Sequence, residues 1–178
     1  MPKFVQVAAL AGSQRERAVL DGDLVGIMPF TLPVADSSLD AWREGVPRML
    51  SGALDGAGPI RTLPAAALLD RVGGFEGAER AAIAARMGAG LVIEGELVAA
   101  GADSVRLVAR VLEAGSGTSL GEREVREGRD RIDRATDSLA VSLLHLLGRG
   151  RAIAAVRGAS LGAASLPALK AFLRGEQH

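Results

Sequence analysis

The clearest pattern of apolar and polar positions lies in the middle of the chain. Leu91, Ile93 and Leu97 alternate with Val92, Glu94, Glu96 and Val98; beyond Gly101, Val105, Leu107, Ala109 and Val111 alternate with Arg106, Val108 and Arg110. A period of two sends successive side chains to opposite faces of a sheet, and two such runs around a glycine-containing turn predict an antiparallel β-hairpin. A turn centred on Gly101 sets Glu96 opposite Arg106, a favourable cross-strand pair. Leu91, Ile93, Leu97, Val105, Leu107 and Val111 then share one buried face. The turn Gly115-Ser116-Gly117 leads into Leu120–Arg126, whose density of charge suits a sheet edge guarded against further pairing.

The flanking segments carry helical periodicity. Upstream, the apolar run Leu24 to Phe30, closed by Pro29, predicts a buried first strand, and Thr31–Ser38, rich in Pro, Ser and Asp, a loop. Gly45 and Pro47 mark a break after Trp42. With Pro47 in a first helical turn, Val46, Met49, Leu50, Ala53 and Leu54 form an apolar stripe ending at Gly56. Pro59–Leu63 reads as a second strand, and Ala65–Val72 and Ala78–Met87 as short helices, the latter ended by Gly88 in a left-handed conformation. Arg129–Leu147 is the longest helix, with a core stripe of Ile132, Ala135, Leu139, Leu143 and Leu146 and an i,i+4 spacing of Asp130 and Arg134. A final short helix, Leu166–Arg174, follows Ser165 and Pro167 and carries Leu166, Leu169, Phe172 and Leu173 as its stripe. Together these predict an α/β fold with α+β character: a mixed β-sheet of about five strands around a central β-hairpin, flanked by helices.

Composition narrows the partners. Formal net charge is zero, from 21 basic and 21 acidic residues, so no basic excess points to nucleic acid or an anionic membrane. No run approaches the ~18 apolar residues of a membrane span, and membrane insertion by this chain is not expected. The apolar start Phe4–Ala11 is interrupted by Gln6 and is too short for a secretory leader. Aromatic residues make up 3% and Tyr is absent, so the core must be built from Leu, Val, Ile and Ala. With no Cys, thiol catalysis and zinc–thiolate sites are excluded. Arg outnumbers Lys by 19 to 2, the bias of a GC-rich bacterial genome.

Four constellations invite a chemical reading. Gly158-Ala159-Ser160-Leu161-Gly162 matches the nucleophile-elbow pattern, yet Ala-rich helical sequence precedes it and only Glu176 and His178 follow, so a Gly-rich linker is the better reading. His145 sits between Leu144 and Leu146 without the partner at ±4 that a metal pair needs. Gly115-Ser116-Gly117-Thr118 lies between strands instead of opening a helix and reads as a hairpin turn. Asp130, Asp133 and Asp137 are interleaved with Arg129, Arg131 and Arg134, the mark of a solvated, ion-paired face. No catalytic, cofactor-binding or metal-ligating residue is therefore assigned, no cofactor is expected, and the chain is expected not to be an enzyme.

The order of these segments resembles the TolB N-terminal-like domain, found in bacterial serine/threonine kinases, cyclases and regulators that carry tetratricopeptide repeats. The family's opening strand ending in Pro-Phe is matched by Val25–Phe30. Its first helix is matched by Gly45 and Val46–Leu54, its helix–Gly–strand block by Ala82–Gly95, and its double-Gly turn by Gly115-Ser116-Gly117. The family's Trp and Tyr after that turn are replaced here by Leu120–Arg126. Ser165–Gly175 is similar to its transition into the first tetratricopeptide helix. The resemblance implies a lead-in over residues 1–22, a TolB N-terminal-like domain over 23–157, and a linker with the first repeat helix over 158–178. It implies a non-catalytic sensor or protein-interaction domain of a larger bacterial signalling protein, its partner another protein or a neighbouring domain of the same polypeptide, with self-association through the C-terminal helix. The alternative is a small-molecule binding module. Two compartments stay open: the extracytoplasmic part of a membrane-anchored parent, or the cytoplasm. A deep apolar cavity with convergent polar groups would favour a ligand, and an exposed apolar patch would favour docking.

Overall fold

A computed structural model describes residues 19–75 and 77–149. Strand β1 (Asp21–Ile27) leads through helix α1 (Trp42–Leu54) to the short strand β2 (Arg61–Thr62). Helices α2 (Ala65–Val72) and α3 (Ala78–Arg86) follow, then three long strands, β3 (Ala89–Ala99), β4 (Ser104–Glu113) and β5 (Ser119–Gly128). A 3-10 turn at Arg129–Arg131 opens into α4 (Ile132–Arg149). The strands form one mixed sheet in the order β2-β1-β3-β4-β5, parallel over the first three and antiparallel over the last three. Five strands, a central hairpin and flanking helices are the fold class expected from the sequence.

The connection through α1 runs one way along the sheet, and the connection through α2 and α3 runs back past β1. Right-handed crossovers of opposite direction place their helices on opposite faces. One face carries the main core: Val25 and Ile27 of β1 and the odd-numbered residues of β3 and β4 pack against Val46, Leu50 and Leu54 of α1 and Ile132, Leu139 and Leu143 of α4. Leu91, Ile93, Leu97, Val105, Leu107 and Val111 all lie in this cluster, as the alternation predicts. The other face carries a smaller cluster, in which Met28 and Val92 meet Leu68, Val72, Ile83 and Ala84 of α2 and α3.

Four local expectations are corrected. The hairpin pairs Glu96 with Val108 and Arg106 with Val98, not Glu96 with Arg106. Its loop spans Ala100–Asp103, closed by the Ala100 N–H donating to the Ser104 carbonyl, so the centre lies one residue beyond Gly101. Moving the centre by one residue shifts the register by two, which leaves every side chain on its expected face. The predicted strand Pro59–Leu63 contracts to Arg61–Thr62. Asp130 lies 3.8 Å from Arg131, with which it pairs instead of Arg134, because the chain is still in its 3-10 turn there.

The fourth correction concerns Pro47, which does not start α1 but sits inside it, the helix beginning at Trp42. Proline has no N–H to give to the carbonyl four residues back, which here is that of Arg43. That carbonyl accepts the Phe30 N–H at 2.8 Å instead. The Phe30 ring is fully buried and lies against Gly95 so closely that a Cβ there would collide with it.

Three substitutions test this packing. Leu107→Ala should lower unfolding free energy by about 2–5 kcal/mol, the cost of a cavity at a fully buried site. Gly95→Ala should lower it by about 1–3 kcal/mol through overpacking, and Phe30→Leu in the same chain should recover part of the loss. Denaturant titrations of Gly95→Ala, Phe30→Leu and their double read this coupling directly.

Candidate functional site

The helices α2 and α3 cover β1 and the first part of β3, where Val92 is buried beneath them. Beyond Val92 the even-numbered side chains of β3, β4 and β5 emerge on an open face. The observed register arranges them in rows across three strands: Glu94, Arg110 and Glu122; Glu96, Val108 and Glu124; Val98, Arg106 and Arg126. Even residues share a face because the pleat repeats every two residues, so the sequence places all of these groups together once the register is known.

A hollow of about 430 Å³ lies over this face, lined by Pro29, Thr31, Arg80, Glu94, Gly95, Glu96 and the β4 and β5 side chains. It adjoins the point where β1 ends beside β3. The connections leave the parallel part of the sheet in opposite directions there, and that is where open α/β sheets bind ligands. Thr31 prolongs β1 past its last regular residue: its N–H donates to the Gly95 carbonyl and its own carbonyl accepts from Leu97, both at 2.9 Å. Arg80, in the first turn of α3, reaches the Phe75 carbonyl at 2.5 Å and the Pro29 carbonyl at 3.5 Å.

The charges in the hollow are unequally committed. Arg110 is bound to Glu122 at 2.9 Å and Arg106 lies 3.6 Å from Glu124. Among the described residues, neither Glu94 nor Glu96 forms a hydrogen bond or an ion pair within 4 Å through its carboxylate. Burial of Glu94 raises its carboxyl above the usual glutamate range, against the pull of Arg80 and Arg110. The hollow thus offers two uncommitted acceptors beside an apolar floor of Gly95 and Val108.

A second charged cluster fastens the loop after β1 to the start of α4. Arg129 donates to Asp36 at 2.9 Å and to the Ser38 hydroxyl at 3.0 Å, and the Ser38 hydroxyl donates to the other Asp36 oxygen at 2.6 Å. The Ser38 hydrogen bond and then Arg129 hold the Asp36 carboxyl below its ordinary range. The Arg129 Nε is buried without a partner, so this contact carries a desolvation cost along with its ion pair.

The positions weighed from the sequence do not converge here. His145 is half-buried on α4. Gly115–Thr118 is a hairpin turn in which Ser116 donates to Glu113 and lies 2.8 Å from Thr118. Asp130, Asp133 and Asp137 are exposed, and no group of three or more metal-binding side chains occurs among the described residues. Ser160, Glu176, His178 and the helix Leu166–Arg174 lie outside the described residues. No described helix is long and apolar enough to cross a membrane.

No family model matches the sequence, and no curated protein does. Among solved structures, the chain is similar to TolB from Acinetobacter baumannii, with a TM-score of 0.49 and 14% identity over 73% of this chain and 29% of that one. It is similar to the LpoB C-terminal domain from Escherichia coli, with a TM-score of 0.49 and 15% identity over 67% of this chain and 93% of that one. A PelC dodecamer from Paraburkholderia phytofirmans gives a TM-score of 0.45 and 16% identity over 73% and 90%. The chain spans less than a third of the TolB chain.

The two shifted carboxyls have opposite effects on stability. Glu94 binds its proton more tightly folded than unfolded, so the stability linked to that proton is lost as pH rises through the raised value. Glu94→Gln should therefore raise Tm at pH 7, and the gain should close as pH falls into the ordinary glutamate range. Asp36 binds its proton less tightly when folded, so Asp36→Asn should lower Tm at pH 7, and the loss should shrink as pH falls below the ordinary aspartate range. Thermal melts at stepped pH measure both, and a gain for Glu94→Gln confined to low pH would contradict the assignment.

Proposed function

We propose that the chain is a non-catalytic protein-interaction domain of the TolB N-terminal-like kind, belonging to a larger bacterial signalling protein. In this reading it docks its partner through the open face of β3, β4 and β5. The observation that supports it is the pair of uncommitted carboxylates, Glu94 and Glu96, in a hollow with an apolar floor. Such a site suits a lysine or arginine of a partner segment, whose aliphatic stem lies on Val108 while its charge meets the two acids. The described lining offers no Ser, Cys or His, so no Ser–His or Cys–His pair can form from it. The proposed parent places an effector module before this domain and tetratricopeptide repeats after it, with residues 158–178 leading into them.

A small-molecule module is the second reading, favoured by the hollow's volume, which falls within the ~300–1,000 Å³ of ligand sites. Its charged lining fits a compact cationic ligand better than an apolar one.

Binding of the full chain to an array of short peptides separates the readings. Peptides with a central Arg or Lys should be retained, and the double change Glu94→Lys, Glu96→Lys should weaken them about 10-fold or more, the equivalent of roughly 1.4 kcal/mol. Glu79→Lys on the exposed surface of α3 should leave binding unchanged. Indifference of binding to charge in the hollow would remove the docking face. Covalent labelling of Ser160 by a fluorophosphonate would overturn the non-catalytic reading.

A further inference from the structure

We propose that β5 is a self-pairing edge: two copies of this chain join β5 to β5, antiparallel, about a two-fold axis through Val125. β5 stands at one end of the sheet, and no described strand pairs with its outer side. It is ten residues long, a length at which an open edge is a standing template for another strand.

The charge order along this edge is antisymmetric about Val125. Glu124 and Arg126 flank it, Arg123 and Glu127 come next, and Glu122 and Gly128 follow. Antiparallel pairing about Val125 therefore sets Glu124 opposite Arg126 of the second copy and Arg123 opposite Glu127, each pair occurring twice by symmetry. Directly opposed residues in an antiparallel ladder share a face, so the axis must pass through a residue and not between two. An axis through Arg123 would oppose Arg to Arg and Glu122 to Glu124. An axis through Glu124 or Arg126 would oppose each to its own like charge. Within the charged stretch, Val125 is the one centre that puts no like charges together.

The backbone agrees. The Arg129 N–H donates to the Asp103 carbonyl at 3.0 Å, and antiparallel alternation then turns the odd-numbered peptide groups of β5 toward β4. The even-numbered groups of Glu122, Glu124, Arg126 and Gly128 are left facing the open edge. With Val125 on the axis, these make the hydrogen-bonded pairs, and Val125 meets its copy at the closer, non-hydrogen-bonded spacing. Val125 is a half-buried residue on the fringe of the main core, and pairing would cover it further. At the other end, Leu120 bulges out of register and Gly121 adopts a φ of 150°, which confines the match to the charged half of the strand. The product is a continuous sheet with two open faces side by side. This inference is independent of the docking site at Glu94 and Glu96 and of any association through the C-terminal helix.

Sedimentation of the full chain tests it. The wild type at about 100 µM should be dimeric, as a micromolar Kd requires. Glu124→Arg and Arg126→Glu, both at exposed side chains, should each weaken self-association roughly 10-fold or more, since each replaces two attractive pairs by two repulsive ones. An equimolar mixture of the two variants should restore the dimer. The first variant carries arginine at both positions and the second glutamate at both, so every facing pair across the mixed edge is again of opposite charge. The mixture also shows that both variants are folded. A monomeric wild type overturns the proposal, as do single variants that dimerise like the wild type and a mixture that stays monomeric.

Discussion

The Phe30 ring lies in the space that Gly95 leaves empty, and the rest of the architecture is arranged around that contact. Gly95 sits on the core side of β3, midway along the longest strand. Any side chain there would lift the ring and with it the segment that leaves β1. Because the ring fits, Thr31 can lie alongside β3 and pair with it as an isolated bridge opposite Glu96. Pro47 completes the arrangement by releasing the Arg43 carbonyl to hold the Phe30 N–H. A residue that weakens a helix by one hydrogen bond thereby ties that helix to the exit of β1, and the lost bond is replaced by a tertiary one.

From this node the hollow follows. Pro29 and Thr31 reach it because β1 continues irregularly past Ile27, and Arg80 reaches it because α3 begins beside Pro29. The two faces of the sheet then differ for a steric reason. Helices α1 and α4 flank the sheet on the core side and bury the odd-numbered residues of β3 and β4 against them. The two short helices α2 and α3 reach no further than the first part of β3. Charged side chains occupy most of the even positions beyond Val92, where burial would require desolvating them without partners.

Much of the fold was legible in the sequence because side-chain alternation depends on parity alone. The register error in the hairpin displaced the Glu96 partner by two residues and left the whole buried set correct, since a shift of two preserves the face. The failures have a common cause. Pro47 reads as a helix start when its effect depends on an acceptor freed for Phe30, thirteen residues upstream of Arg43. The Asp36–Arg129 pair joins positions 93 residues apart, with no local signal in either segment. Gly95 carries no local signal of its role, because the ring that fills the space beside it comes from Phe30, far off in the sequence. The acids of the hollow were visible as even-numbered charges, but their rows depend on the true register of two hairpins.

Parity also reconciles the two uses of β5. A charged edge strand is ordinarily a device against pairing, and a random sequence of charges does repel or misalign a second strand. The order Arg123-Glu124-Val125-Arg126-Glu127 keeps that protection in most registers and relaxes it in one. Its even members send their side chains to the open face, where Glu124 already meets Arg106 and Arg126 reaches the Ala100 carbonyl at 3.0 Å. The same residues that make the open face polar thus carry the information that selects one partner geometry at the edge, and a change in their order would alter association without disturbing the core beneath.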